Sequence, residues 1–309
     1  MKRTAILCEM LGTRYPLMQG GMAHISDARL AAAVSNGGGL GIISAASGNI
    51  QQIADQIDEA RRLTDKPFGV NIMLRGDNID EIAKLIAEKK VAVVTTGAGS
   101  PAAYIPMWRE AGVKVIPVIS TAAMAQLMEK SGADAVVAEG TESGGHVGEM
   151  TTMALVPQVC DAVKIPVIAA GGIADGRGFA AALMLGACGV QIGTRFLAAE
   201  ECSISEEYKT RVLKAKDTST VVTGRRLGHP VRSLKSAFSR AYAKAEYTDI
   251  SDEALEAMAV GTLRAAVVDG DPKKGCFLAG QISGLVEKEQ PAAEIIAEIM
   301  KQAESLLCE

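Results

Sequence analysis

The sequence predicts an α/β fold, a TIM (β/α)₈ barrel with a small helical subdomain inserted after the eighth strand. Three observations carry this. Eight short apolar, β-branched runs recur roughly 22 to 31 residues apart, the spacing of strand–helix units. Their residues are apolar almost throughout rather than alternating, as burial on both faces requires. The chain, at 309 residues, holds a barrel of roughly 250 residues plus an appendage. A doubly wound open sheet is the competing architecture, but it needs fewer strands and a clear switch point.

The expected strands are 16–19, 39–43, 68–73, 91–96, 113–119, 135–139, 166–170 and 189–193. Between them the apolar residues fall at helical spacing. Ser26-Asp27 supplies a cap before Leu30, Ala33 and Val34. Thr121 caps the helix of Met124, Leu127 and Met128, whose methionines are read as core filling. Asp175 precedes the helix of Phe179, Leu183 and Met184, which ends near Gly186. After Thr194 the pattern changes. Residues 200–274 read as mostly polar helices carrying Arg225, Arg226, Arg232, Lys235 and Arg240, closed by the turn Asp269-Gly270-Asp271-Pro272. The barrel is therefore expected over 1–199 and 275–309, with 200–274 as the insert. A last helix is expected from Pro291 to Leu307.

Composition narrows the function. Apolar residues make up 48% of the chain, enough for a large core. The net charge is −4 with no basic block, which argues against a nucleic-acid partner. No apolar run approaches a membrane span or a signal peptide. Six scattered cysteines without a C-x-x-C pair fit free thiols in a reducing, cytoplasmic compartment. Three histidines without ligand spacing argue against a catalytic transition metal.

In a barrel, the C-terminal strand ends form the active site, and the unusual residues fall there. Gln19-Gly20-Gly21-Met22-Ala23 follows the first strand. Asn71 lies near the end of the third, and Thr95-Thr96-Gly97 ends the fourth. Glu139 ends the sixth, and its glycine-rich loop carries His146. Gly171-Gly172 follows the seventh strand and Gly193-Thr194 the eighth. Exposed amides at these last two turns suit a phosphate, a reading that stands ahead of glycines that only make tight turns. A phosphate there, with polar ends across the mouth, suits flavin mononucleotide (FMN). Asn71 and Glu139 are placed for the edge of its ring, Gly20 to Ala23 for its face, and Thr96 is counted among the contacts. Gly97-Ala98-Gly99-Ser100-Pro101-Ala102 mimics a dinucleotide fingerprint, but the next strand ends in Ser120 and offers no carboxylate for a ribose. His229, in Gly228-His229-Pro230, is read as a capping or core histidine ahead of a chemical one, and the nearby basic residues as a solvated face ahead of a docking surface.

The motifs together resemble a known group. Gln19-Gly20-Gly21-Met22-Ala23, Phe68-Gly69-Val70-Asn71-Ile72-Met73, Ala138-Glu139-Gly140, Gly144-Gly145-His146-Val147-Gly148, Ala169-Ala170-Gly171-Gly172-Ile173, Gln191-Ile192-Gly193-Thr194-Arg195 and Ala279-Gly280-Gln281-Ile282-Ser283-Gly284 are similar to the flavin-dependent enoyl-acyl-carrier-protein reductase II family, close kin of the nitronate monooxygenases. The resemblance implies an FMN barrel, usually dimeric. It implies reduction of trans-2-enoyl thioesters on acyl carrier protein, in fatty-acid elongation, with NADH or NADPH. It also implies flavin contacts from Met22, Asn71, Glu139, Gly145, Gly172, Gly193 and Thr194, a closing loop of Gln281, Ser283 and Gly284, and His146 as the catalytic histidine. Glu139 stands where nitronate monooxygenases tend to carry glutamine, which favours the reductase. His24 stands where reductases often carry an aromatic residue, and Ser143 replaces a common alanine. Two other functions stay open: a nitronate monooxygenase, and a phosphate-binding barrel without redox chemistry.

Overall fold

The computed structural model describes residues 2–76 and 78–308. Eleven strands are described: β1 Leu17–Gln19, β2 Gly41–Ser44, β3 Phe68–Met73, β4 Val93–Gly97, β5 Lys114–Ile119, β6 Val136–Glu139, β7 Gly145–His146, β8 Val167–Ala170, β9 Gly189–Ile192, β10 Thr220–Thr223 and β11 Val231–Leu234. Eight of them form one sheet in the order β1-β9-β8-β6-β5-β4-β3-β2, and every pairing described within it is parallel. These are the eight strands expected from sequence, with ends moved by at most two residues. The fold is a TIM barrel.

The seam between β1 and β2 closes through few bonds. Met18 bridges Leu40, the Gln19 N–H donates to the Leu40 carbonyl at 2.9 Å, and the Ile42 N–H donates to Gln19 Oε1 at 3.0 Å. A buried side-chain amide thus stands in for a main-chain carbonyl where the short β1 ends.

Alternation along each strand sends residues inward and outward in turn. Met18, Leu40, Ile42, Val93, Ile116, Val137 and Ile168 fill the lumen, with Leu7 and Leu11 of the helix Lys2–Leu11. Leu7 closes the N-terminal end: a Cβ at Gly189, where β9 begins, would lie 2.4 Å from its Cδ2. Val70, Ile72, Val94 and Val115 face the outer helices. The expected caps are in place. Asp27 accepts from the Leu30 N–H at 2.9 Å, and Thr121 from the Met124 N–H at 3.1 Å. The last helix runs Ala292–Cys308, and the helix Gly176–Met184 packs on it so closely that a Cβ at Gly176 would lie 2.5 Å from the Ala303 nitrogen. Met128 is core filling, as expected, but Met124 is exposed.

The insert differs from expectation. It holds helices Glu206–Leu213, Ala237–Ala245, Asp252–Ala259 and Thr262–Val267, but also the antiparallel hairpin β10–β11. The runs Thr220-Val221-Val222-Thr223 and Val231-Arg232-Ser233-Leu234 are rich in β-branched residues, which suit a pleated surface better than a helix. The hairpin does not stand apart. β11 pairs antiparallel with β7, a piece of the barrel loop after β6, with Val231 opposite His146 and Arg232 opposite Gly145. Among the described residues, no helix is long and apolar enough to cross a membrane.

Candidate active site

Most of the expected residues meet at the C-terminal end of the barrel. Gly21 lies against Asn71 so tightly that a Cβ there would come within 2.4 Å of the asparagine Cβ. Asn71 Nδ2 donates to Thr95 Oγ1 at 2.9 Å. Register explains the pairing, because Asn71 sits beside Thr95 and both point inward. Thr96, next along β4, takes the opposite face, and its hydroxyl is buried with no partner. The β4 residue that belongs to the mouth is therefore Thr95, which sequence reasoning passed over for its neighbour. Gly20 faces the Gln191 side chain, 3.4 Å from a Cβ built there. Gln191 is a second inward polar residue that sequence reasoning passed over, because it lies inside an apolar strand. Gln191 could have been found by counting alternation back from Gly193, whereas Thr95 needed the β3–β4 register.

Met22 borders Gly193, its sulfur 3.8 Å from a Cβ placed on the glycine and nothing closer there. The Met22 N–H donates to Ser26 Oγ at 2.9 Å, which holds the 20–26 turn. Ala23 is half-buried in the same turn, and His24 follows with φ +61°. Gly171 and Gly172 have φ +85° and +73°, a conformation that only glycine adopts without strain.

The helix after β8 offers less to an anion than expected. Asp175 already accepts from the Arg177 and Gly178 N–H groups, and Gln302 Oε1 takes that of Gly176 at 2.8 Å. The cradle is left to the Gly171-Gly172 turn and to the 3₁₀ turn Thr194–Ala198, which has no side-chain cap at its start. The Thr194 oxygen accepts the Gly280 N–H at 2.8 Å, so that residue also anchors the closing loop.

That loop, Gln281–Leu285, rests on the histidine loop through the Gln281 N–H, which donates to the Glu142 carbonyl at 2.9 Å. Gln281 is exposed. Ser283 is fully buried and donates to the Gly280 carbonyl at 2.7 Å. Gly284 faces the main chain of Lys216 and Asp217. Ser283 and Gly284 thus shape the loop from within.

Five further ties hold the segment 140–152. The Thr141 N–H donates to the Met150 carbonyl at 2.7 Å. The Thr152 N–H, at the start of a helix whose own cap residue makes no side-chain bond, donates to the Glu142 carboxylate at 3.0 Å. Arg232 donates from Nε and Nη2 to the Thr141 carbonyl at 3.1 and 3.0 Å and from Nη1 to Thr220 Oγ1. The Val147 N–H donates to the Pro230 carbonyl at 3.0 Å. β7 itself joins β11. Arg232 is buried and committed to this loop. Arg226 donates to the Thr248 and Ile250 carbonyls and pairs with Asp252. The solvated basic face therefore reduces to Arg225, Lys235 and Arg240.

Two titratable groups stand out. Burial pushes the Glu139 carboxyl up to about 7. The Ser143 hydroxyl beside it pulls the other way, though its geometry falls short of a full hydrogen bond. His146 is exposed at the mouth. Protein crowding still lowers its pKa, and the positive charges of His229 and Arg75 lower it further.

Glu139 carries a prediction. A carboxyl whose pKa is raised in the folded state is stabilising while protonated, and that contribution fades as pH rises from the ordinary carboxylate range through about 7. Resistance of the cofactor-free protein to thermal unfolding should fall as pH rises across that window, and Glu139→Gln should flatten the profile. An unchanged profile in the variant would assign the dependence to other groups.

The nitronate monooxygenase family model matches residues 4–89 and 75–302. The chain belongs to the nitronate monooxygenase family. Within this oxidoreductase family, its structure is similar to that of FabK from Thermotoga maritima, with TM-score 0.95 and 47% identity over 98% of this chain and 96% of the other. It is 34% identical to a Mycobacterium tuberculosis (3aS,4S,5R,7aS)-5-hydroxy-7a-methyl-1-oxo-octahydro-1H-indene-4-carboxyl-CoA dehydrogenase, over 98% of this chain and 97% of that one. It is also 34% identical to a probable nitronate monooxygenase of Staphylococcus aureus, over 97% and 98%. Proteins of this family and FabK are typically FMN enzymes, and the residues present fit that cofactor. The Gly171-Gly172 turn and the open space above Gly193 suit a phosphate, and Asn71 with the half-buried Glu139 can meet a ring edge.

Proposed function

We propose that the chain is an FMN-dependent enoyl-thioester reductase, reducing trans-2-enoyl groups on acyl carrier protein with NADH or NADPH. The observation that carries this reading is the 47% identity with FabK, spread over 98% of the chain. Glu139, in place of the glutamine expected of a monooxygenase, agrees with it.

Gly171, Gly172, Gly193 and Thr194 would hold the FMN phosphate, and Gly20 to Ala23, Asn71 and Glu139 its ring. When bound, FMN supplies the hydride acceptor and donor. The chain's own part is proton and charge management. As the β-carbon of the substrate is reduced, negative charge builds on the thioester oxygen. A donor aimed at that oxygen stabilises the transition state more than the substrate. His146 is placed for this at the mouth, and its ring can pass a proton to the α-carbon. Exposed Arg225, Lys235 and Arg240 offer positive charge to an acidic carrier protein.

A second reading, oxidation of alkyl nitronates with oxygen, is favoured by the family model and the Staphylococcus aureus relative. There His146 would act as a base. One experiment separates them. Under anaerobic conditions NADH or NADPH should bleach the flavin quickly, and a crotonyl thioester should restore its colour. A flavin that ignores both nucleotides, with oxygen uptake on nitronate, would establish the second reading. Colourless protein that takes up no FMN would remove redox chemistry altogether.

A further inference from the structure

The insert carries a cleft of about 540 Å³, a volume in the range of small-molecule sites. It lies between the helix Glu206–Leu213, the turn 214–219 and the end of β11. Its walls are fixed by hydrogen bonds. The Lys216 N–H donates to Ser219 Oγ at 2.8 Å. The Ser219 N–H donates to the Lys216 carbonyl at 3.0 Å, and the Lys235 N–H to the Ser219 carbonyl at 2.8 Å. Arg211 is held as well: Nε donates to Glu207 at 2.7 Å, and the guanidinium lies 4.6 Å from the centre of the Phe277 ring.

The lining has the chemistry of an anion site. Lys214 and Lys235 are exposed and make no ion pair among the described residues. The one carboxylate of the lining, Glu207, is spent on Arg211. The Thr210 and Thr218 hydroxyls make no hydrogen bond among the described residues, and Ser219, which accepts from Lys216, keeps its own proton to donate. Two uncompensated ammonium groups with three hydroxyl donors match a phosphate monoester, which carries close to two negative charges at neutral pH and takes lysine as a point charge. Lys235, counted above with the solvated basic residues, thus also edges a recess.

The cleft is joined to the candidate active site from two sides. Gly284 of the closing loop packs on the turn so tightly that a Cβ there would lie 2.9 Å from the Asp217 nitrogen, and the Gly280 end of that loop is tied to Thr194. Along β11, Val231 is opposite His146, and Lys235 follows four residues later, about 13 Å at strand spacing. A coenzyme whose reactive end lies at the flavin reaches that far with its adenosine end.

We propose that this cleft binds the ribose phosphate monoester of an adenosine coenzyme. The binding site stands on the lining and walls just described, and its part in turnover rests on the reductase reading. Two sources share the chemistry: the 2′-phosphate of NADPH and the 3′-phosphate of an acyl-coenzyme A.

Calorimetric titration of the protein as purified, with adenosine 2′,5′-bisphosphate, adenosine 3′,5′-bisphosphate and AMP, tests the site. One bisphosphate should bind about tenfold or more tighter than AMP. Lys214→Glu combined with Lys235→Glu should abolish that margin and leave AMP binding unchanged, since two attractive pairs become repulsive. Both lysines are exposed, so the reversal spares the core, and Lys214→Gln combined with Lys235→Gln, which adds no new charge, should lose the margin in part. Kinetics then separate the sources. If the 2′,5′-bisphosphate is preferred, the reversal should raise the KM for NADPH about tenfold and leave that for NADH unchanged, with crotonyl pantetheine as acceptor. If the 3′,5′-bisphosphate is preferred, it should raise the KM for crotonyl-coenzyme A and spare crotonyl pantetheine. Bisphosphates that bind no tighter than AMP, or that bind native and reversed proteins alike, overturn the proposal. A margin that is present and lost on reversal, in a protein that reduces no enoyl thioester, upholds the cleft and removes the reductase reading instead.

Discussion

Replacing His146 by alanine should lower turnover about 10²- to 10⁴-fold, the usual contribution of a positioned acid, while FMN stays bound. The two halves of this expectation come from different parts of the molecule. The flavin contacts proposed here lie on β1, β3, β6 and the turns after β8 and β9, none of which needs the imidazole. His146 is carried by β7, which is held by main-chain pairing with β11 and by the Val147–Pro230 bond, so removing its side chain leaves the backbone in place. Steady-state turnover on a crotonyl thioester, with the flavin spectrum as control, measures both. Turnover within a factor of two of native would remove the histidine from the reaction, and loss of the flavin would mean that the side chain holds the cofactor.

Arg232→Met should come next in size. Arg232 is buried, and three of its donors are spent on the histidine loop and Thr220. Methionine fills the space and removes a buried charge, which offsets part of the loss. The Thr141 carbonyl is left unpaired, at a cost of about 1–3 kcal/mol, concentrated on the loop that carries β7. Misplacing a catalytic group by a fraction of its contact distance can reduce turnover as much as about 100-fold. We expect a turnover loss approaching that size, faster amide exchange at Gly145 and Val147, and retained FMN. Arg232→Lys should not rescue it, because one ammonium cannot reproduce the planar fork that reaches Thr141 and Thr220 together. Native turnover with native exchange in Arg232→Met would show that the ladder alone positions β7.

Much of this was legible in the chain. The glycine turns after β1, β8 and β9 announce themselves because glycine is costly to keep inside regular structure. Asn71 and Glu139 stand out as polar residues closing apolar runs. Legibility stopped where the deciding factor was a neighbour distant in sequence. Thr95 and Thr96 are alike until strand register turns one to the lumen. Ser283 looks like a ligand to the ring, yet its hydroxyl proton is spent on the Gly280 carbonyl, while Thr194 accepts the Gly280 N–H and keeps its own proton to donate. Asp175, read only as the residue before a helix, caps it and so occupies amides that an anion would have used.

The amino-acid order by itself determined the barrel, the order of its strands and the end at which the candidate site lies, because period, strand length and turn residues are local properties written into consecutive positions. Tertiary structure alone decided that an arginine and a histidine of the insert lie against the histidine loop. Arg232 reads as part of a solvated basic face and His229 as a capping or core histidine, and only the pairing of β11 with β7, some 85 residues away in the chain, brings them beside the histidine loop. A backbone ladder between distant segments depends on which edges meet in space, and no local pattern carries that information.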